Sequence, residues 1–208
     1  MRPDKRIRVK REPHRGRYDR ETIDAILDEA LICHLGFDVD GQPYVIPTLH
    51  ARVGDNVYVH GSAASRMLRH LASDVRVCLT VTLFDGLVLA RSVFNHSVNY
   101  RSVVLLGTAR LVEGEEKVTA LHALTDQLAP GRWEEARRPN AKELKATWIL
   151  ALPIEEASAK VRTGAEEDEP EDEDLPVWAG VVPVHLVPEP SDYDWKRVHD
   201  GRVGPPRG

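Results

Sequence analysis

A strand, a tight turn, a second strand and a loop of small residues that opens a helix follow one another between residues 43 and 72. The strands are predicted at Tyr44–Arg52 and Val57–His60, with the turn at Gly54–Asn56. The start of a helix leaves backbone N–H groups free, and Arg66 adds a forked cationic donor. Ser65 and Arg66 therefore predict a seat for a phosphate group.

The segments around this seat predict an antiparallel sheet. The sequence contains neither GxxxxGK[ST] nor GxGxxG, the phosphate loops of parallel α/β sheets. Asp-Gly pairs at 40–41 and 85–86 suit the positive φ angles of tight hairpins. We expect an antiparallel barrel built from strands at 31–39, 44–52, 57–60, 75–84, 87–94, 100–112, 147–152 and 157–163.

Three helices are predicted besides the short one at about 65–72. Asp19 is placed to cap a helix at 20–31, whose apolar stripe is expected to cover one end of the barrel. A second helix is predicted at 115–128. Asn140 and Glu143 form a capping box for a third, short helix.

Charge is distributed unevenly along the 208 residues, although the formal net charge is only −5. Residues 1–20 carry nine Lys or Arg and three acids, whereas residues 165–174 carry eight acids and no base. Proline and glycine break any helical period in residues 1–18, so this arm is expected to be loosely ordered or laid across a neighbour. The acidic run is expected to be a solvated linker.

Other chemistries find little support in the sequence. No HExxH, CxxC or paired-carboxylate cluster indicates a metal site, and no GxSxG indicates a serine hydrolase. Cys33 and Cys78 lie in apolar runs and are expected to be buried free thiols in a reducing cytoplasm. No run approaches the ~20 apolar residues that span a bilayer. The basic arm lacks interleaved aromatic residues, so no nucleic-acid partner is expected.

Several segments resemble one known family in their order and spacing. They are Tyr44–Leu71, Val75–Val81, NYRSVVLLGTARLVEG, LPIEEASAKVRTG and LPVWAGVVPV. Together they resemble the flavin-nucleotide-binding split barrels, especially the pyridoxamine 5′-phosphate oxidase-like branch that includes nitroimidazole-resistance proteins. The resemblance implies a mainly β fold, a six-stranded antiparallel split barrel with peripheral helices. It also implies a homodimer that binds FMN in two clefts at the subunit interface.

The resemblance also implies cofactor-binding residues. Ser65 and Arg66 match the pair that holds the FMN phosphate, and Met67 stands where the oxidases have a lysine. Residues 45–48 match the strand that lies along the flavin ring. The complete candidate set is Val45, Ile46, Pro47, Thr48, His60, Gly61, Ser65, Arg66, Tyr100, Arg101, Ser102, Lys160, Arg162 and Trp178.

Several of these assignments have a plainer alternative. Ser65 and Arg66 also fit a capped helix start with a surface arginine. Trp178 also fits packing in the core or against a second subunit, and His60 also fits a structural role. Lys160 and Arg162 are the candidates to replace the charge that Met67 lacks.

The resemblance divides the chain into five segments. Residues 1–18 are the basic arm, 19–164 the flavin-binding split barrel, and 165–174 the acidic linker. Residues 175–187 are expected to pack on the barrel or on a partner subunit, and 188–208, rich in proline and glycine, to form a flexible tail.

The expected function is that of a cytoplasmic FMN-dependent oxidoreductase acting on a small molecule, for example a nitro or quinone compound. The Arg-x-Glu-Trp-type stretch that the pyridoxamine-phosphate oxidases carry near the C-terminus is absent, so oxidation of that substrate is not expected. No general acid or base is identifiable. The alternatives are a non-catalytic flavin-binding or sensing module, and a split barrel that uses a deazaflavin coenzyme or haem.

Overall fold

A computed structural model describes residues 5–187, and in it an antiparallel sheet wraps into a split barrel with helices around it. The mainly β fold predicted from the sequence is confirmed. The described residues form more than the six expected strands, because short strands are added to the longer ones. The strands are β1 (Gly16–Arg17), β2 (Ile32–Val39), β3 (Gln42–Val53), β4 (Asn56–Ser62), β5 (Arg76–Leu89), β6 (Ser97–Thr108), β7 (Arg110–Leu111), β8 (Thr147–Pro153), β9 (Glu156–Arg162) and β10 (Gly180–Pro183).

The predicted helix starts are confirmed by their caps. Asp19 accepts a hydrogen bond from the N–H of Thr22, and Asn140 forms a capping box with Glu143. Each cap satisfies a backbone donor that the first turn of a helix leaves free. The helices are α1 (Arg20–Glu29), α2 (Arg66–Leu71), α3 (Gly114–Leu128), α4 (Arg132–Glu135) and α5 (Ala141–Ala146).

Strand β3 belongs to both parts of the split sheet. Residues 42–49 pair with β2, and residues 50–53 pair with β4. The strand order is β1-β9-β6-β5-β2-β3-β4-β8-β7, with β10 added beside β5. One continuous strand therefore carries the chain from one part of the barrel to the other.

Alternation along the strands sends one set of apolar side chains into the barrel. Helix α1 covers this interior, and α3 packs over a second, smaller cluster that includes Tyr58 and Ile149. The barrel interior contains Leu35, Val57, Leu79, Val81, Val103, Leu105, Leu150 and Ala159, all of them buried.

The predicted hairpin at Asp85-Gly86 is wrong. Residues 76–89 form the single strand β5, which pairs with β6 on both sides of a register shift between Phe84 and Gly86. Residues 93–95, expected at the end of a strand, form a 3₁₀ turn. The Asp-Gly pair therefore marks a bulge in a long strand.

Contacts distant in sequence explain this bulge. The carboxylate of Asp85 accepts two hydrogen bonds from Arg101 on β6. A Cβ on Gly86 would lie 3.0 Å from the backbone oxygen of Val182, so glycine allows β10 to approach β5 closely. By contrast, Asp40 and Gly41 both have positive φ angles and make the expected two-residue hairpin between β2 and β3.

The basic arm and the acidic run both contact the barrel. In the arm, which was expected to be loosely ordered, Gly16 and Arg17 pair with β9. The acidic run is largely exposed, yet Asp168 accepts hydrogen bonds from the backbone N–H and the side chain of Arg91. The predicted tail, residues 188–208, lies outside the described residues.

The last carbonyl groups of α1 are satisfied by two buried polar side chains. The ring Nε2 of His50 lies 2.9 Å from the oxygen of Leu27. The side-chain amide of Gln127 on α3 donates to the oxygens of Asp28 and Ala30, at 2.8 and 2.9 Å. These contacts join α1 to β3 and to α3 at the place where β3 changes partners.

We expect Gln127→Met to lower the free energy of unfolding by about 1–3 kcal/mol, because it leaves two carbonyl acceptors without their buried donor. Urea unfolding measures the loss. The matched control is Gln42→Met, since Gln42 is exposed and the one side-chain hydrogen bond that it makes within residues 5–187 goes to its neighbour Pro43. The control is expected to change stability by less than about 0.5 kcal/mol. Equal losses in both variants would contradict this role for Gln127.

Candidate functional site

The predicted phosphate seat lies where β4 ends and α2 begins. Ser65 is the N-cap of α2, and its hydroxyl accepts a hydrogen bond from the N–H of Leu68. Gly61 lets β4 approach this helix, because an added Cβ would lie 2.9 Å from a side-chain carbon of Leu68. Arg66 is exposed, and within residues 5–187 its side chain makes no hydrogen bond or ion pair. Its charge is available to a ligand.

The structure also shows where the side chains of Met67 and Arg69, which follow Arg66 on α2, are placed. Met67 packs against the barrel interior, so a side chain at this position points away from the exposed Arg66. Arg69 donates to the backbone oxygen of Ala63 at 2.9 Å and so holds the small-residue loop in place. Arg66 is therefore the cation that the seat offers to solvent.

The predicted flavin strand lies on β3 and faces outward in part. Val45 is 68% exposed and Pro47 is exposed, whereas Ile46 packs against the interior. Val45 pairs with Gly36 on β2, which in turn pairs with Cys78 on β5. These pairs place Val45, Gly36 and Cys78 side by side on the outer side of the sheet.

A set of exposed apolar side chains lies on the outer side of the sheet, on this strand and on its neighbours. Its members alternate with interior residues along β2, β3, β5 and β6. Such a set offers apolar surface that a ligand or another protein can cover. We call it the outer face and define it as Ile32, Val45, Phe84 and Val104, all of which are exposed.

The three candidates on β6 lie on two sides of the sheet. Tyr100 and Ser102 point to the outer side, and the hydroxyl of Ser102 donates to the backbone oxygen of Lys160. Arg101 points to the other side, where it forms ion pairs with Glu29 on α1 and Asp85 on β5, each with a 2.7 Å contact. Hydrogen bonds to Glu29 and then to Asp85 raise the pKa of Arg101. Its guanidinium is thus already engaged.

The structure places Arg162 away from the seat. Arg162 is buried at the end of β9 and donates to the side-chain oxygen of Asn99 at 2.5 Å. It lines a cavity of about 370 Å³ between the N-terminal arm and residues 161–167. We call this the arm cavity, and neither Ser65 nor Arg66 lines it. Lys160, the other cationic candidate of β9, pairs with Ser102 in the ladder.

His60 and Trp178 differ in their surroundings. His60 is half-buried, its Nδ1 is buried without a hydrogen-bond partner in the described residues, and burial lowers its pKa. The imidazole is thus neutral at pH 7. Trp178 is 64% exposed, and its ring lies over Gly180, where an added Cβ would come within 2.9 Å of it.

The cysteines are both free, as predicted. Burial raises the pKa of Cys33 to about 12, which makes its thiolate form rare at neutral pH. Among residues 5–187 no three His, Cys, Asp or Glu side chains are grouped so that they could hold a metal ion.

The sequence reasoning missed the partners that decide what the arginines can do. Glu29 and Asp85 engage Arg101, and Asn99 engages Arg162. Asn99 lies within β6, one position before the strand that the sequence predicts from residue 100. Its bond to a residue 63 positions away has no local sequence signal.

Residues 19–161 match the sequence profile of the family described as pyridoxamine 5′-phosphate oxidase. The chain belongs to this family. The match spans most of the barrel, from α1 into β9. No curated protein matches the chain in sequence.

Solved structures of three other proteins are similar to this chain. The flavocytochrome Anf3 from Azotobacter vinelandii is 45% identical, with 99% of this chain and 95% of that chain covered and a TM-score of 0.85. The FAD and heme binding protein from Mycobacterium smegmatis is 38% identical, with 85% and 89% covered and a TM-score of 0.80. A putative 5-nitroimidazole antibiotic resistance protein from Bacteroides thetaiotaomicron, 23% identical over 70% and 86% of the chains, shares the fold with a TM-score of 0.57.

We expect Arg101→Met to lower the free energy of unfolding by about 1–3 kcal/mol, because it separates α1 from β5 and leaves two carboxylates without their cation. Arg110→Met is the matched control: Arg110 also makes a two-pronged ion pair, with Glu116, but its side chain is 52% exposed. Surface pairs contribute about 0–1 kcal/mol. Urea unfolding compares the two, and a larger loss in the control would contradict the structural role of Arg101.

Proposed function

We propose that the protein is a flavin-dependent oxidoreductase whose flavin phosphate binds at Ser65 and Arg66. The observation that carries this proposal is the exposed guanidinium of Arg66 beside the N-cap of α2, which makes no hydrogen bond or ion pair within residues 5–187. A forked guanidinium forms two parallel hydrogen bonds with a phosphate. Membership of the pyridoxamine 5′-phosphate oxidase family and the two flavin-associated relatives support it.

The outer face offers the wall that a flavin ring requires. Backbone groups of residues 45–48 would hold the polar edge of the ring, while Val45 and its neighbours would pack against its apolar surface. The bound flavin supplies hydride or electron transfer. The residues of the chain position it and exclude water from the ring.

We propose that a second copy of the chain supplies the opposite wall. The outer face exposes apolar side chains to solvent, and a shared cleft would cover both the ring and Val45. A homodimer is thus part of the proposal. The cytoplasmic location also stays a prediction, and no helix among residues 5–187 has the length and apolar character needed to cross a membrane.

The flavin is either FMN, as the sequence predicts, or FAD, which the name of the Mycobacterium smegmatis relative specifies. Both carry the phosphate that Arg66 would bind. Mass spectrometry of the ligand released from the purified protein distinguishes them and also detects a deazaflavin. The substrate is proposed to be a small electron acceptor, such as a nitro or quinone compound. Turnover of reduced nicotinamide with such an acceptor separates the enzyme from a non-catalytic flavin-binding module.

A second candidate function, electron transfer between flavin and haem, is favoured by the two relatives that are 45% and 38% identical to this chain. One is a flavocytochrome and the other binds FAD and heme. A histidine that binds haem iron does so through an unprotonated ring nitrogen. The half-buried His60 fits, because its pKa is lowered and its Nδ1 has no partner in the described residues.

We expect Arg66→Ala to weaken FMN binding by about 10- to 100-fold while changing riboflavin binding little, because the lost contact is to the phosphate. Fluorescence titration measures both ligands. Arg137→Ala is the control, since Arg137 is exposed and paired with Glu143. Equal losses for FMN and riboflavin would place the phosphate elsewhere, and a protein that binds neither would refute the flavin proposal.

If haem is bound through His60, the purified protein shows a Soret band that His60→Ala removes while the flavin absorbance remains. His122→Ala is the control, because His122 is already engaged by Asp126 and Trp133. Absorption spectra after reconstitution with haem give the result. A Soret band that persists unchanged in His60→Ala would contradict this ligand.

A further inference from the structure

The arm cavity is bounded on two sides by separate parts of the chain. His14, Arg15 and Arg17 of the N-terminal arm line it, and so does Arg162 at the end of β9. Pairing of β1 with β9 fixes these two walls relative to each other. Its volume of about 370 Å³ lies at the small end of the range for ligand pockets.

Arg162 is a buried cation that lacks an anion. The residue is only 7% exposed. Within residues 5–187 its one side-chain hydrogen bond goes to the neutral amide oxygen of Asn99, and no carboxylate lies within ion-pairing distance of it. An arginine cannot release its proton in a protein, so burial of this charge is unfavourable until an anion pairs with it.

The orientation of Arg162 is fixed by a second hydrogen bond. The amide nitrogen of Asn99 donates to the backbone oxygen of Gly164 at 3.0 Å, which leaves its oxygen to accept from the guanidinium. A guanidinium has five N–H donors, so most of those on Arg162 have no partner among the described residues. A forked donor of this kind matches a phosphate.

The other charged residues of the cavity indicate what else the ligand carries. Glu166 and Glu167 line it together with the three arginines, and neither is paired with Arg162. Carboxylates that line the cavity repel a second anionic group, yet they accept hydrogen bonds from hydroxyl groups. The cavity therefore suits one phosphate attached to a hydroxyl-bearing body.

We propose that the arm cavity is a binding site for a phosphate ester of a small polyhydroxylated molecule, with the phosphate on Arg162 and hydroxyl groups toward Glu166 and Glu167. It is separate from the phosphate seat at Ser65 and Arg66. A flavin also carries a phosphorylated hydroxyl chain, so the two sources of this chemistry must be distinguished by experiment.

The test titrates the full-length protein, saturated with FMN, with ribose 5-phosphate, inorganic phosphate and ribose. Isothermal calorimetry is expected to show one ribose 5-phosphate per chain, bound more tightly than inorganic phosphate, and no binding of ribose. Arg162→Gln should weaken ribose 5-phosphate by about 10- to 100-fold without changing the flavin content. Arg137→Gln, a paired surface arginine, should leave binding unchanged.

Two results would overturn the proposal. The first is no binding of ribose 5-phosphate, or equal binding by wild type and Arg162→Gln. The second is selective loss of FMN, but not riboflavin, from Arg162→Gln, which would assign Arg162 to the flavin phosphate. If the protein binds ribose 5-phosphate through Arg162 but binds no flavin, the result supports this site. The same result refutes only the proposed flavin-dependent function.

A second variant covers the case in which Arg162→Gln fails to fold. Arg15 also lines the cavity, and its nearest carboxylate, on Glu12, is 3.9 Å away. Arg15→Gln is expected to weaken ribose 5-phosphate several-fold with unchanged flavin content. Unchanged affinity in this variant would contradict the proposed site.

Discussion

The carbonyl groups at the end of α1 must be satisfied inside the protein, and the barrel is arranged around that requirement. His50 meets one of them from the point where β3 leaves β2 and joins β4, and Gln127 meets two more from α3. Burial lowers the pKa of His50, so the ring stays neutral. These contacts set where β3 changes partners, and residues 45–48 lie immediately before that point.

Local signals were enough to predict the helix starts and two hairpins, at Asp40-Gly41 and at Gly54–Asn56. Asp19, Ser65 and Asn140 cap helices because each side chain satisfies an N–H only three residues ahead. Asp40-Gly41 turns because both residues accept a positive φ. Asp85-Gly86 has the same composition, yet Arg101 and β10 hold it in a long strand. The residues next to Asp85-Gly86 in the sequence do not indicate that Arg101 and β10 will contact this pair.

The candidate site was predictable in residue type but not in geometry. Arg66, Arg101 and Arg162 look alike in the sequence, and the structure gives each a different state: exposed and unengaged, paired with two carboxylates, or buried beside an amide. Those states depend on residues from 16 to 72 positions away for Arg101 and 63 for Arg162. Of these three, Arg66 is the exposed one whose side chain makes no hydrogen bond or ion pair within residues 5–187.

The N-terminal arm and the end of β9 flank the span that the family profile matches. The match begins at residue 19 and ends at residue 161, whereas the arm cavity is lined by His14, Arg15, Arg17 and residues 161–167. Substitutions of these side chains would leave the main barrel ladders intact, because the ladders are formed by the backbone. A change at this cavity therefore alters what the protein can bind there without rebuilding the strands that carry the phosphate seat.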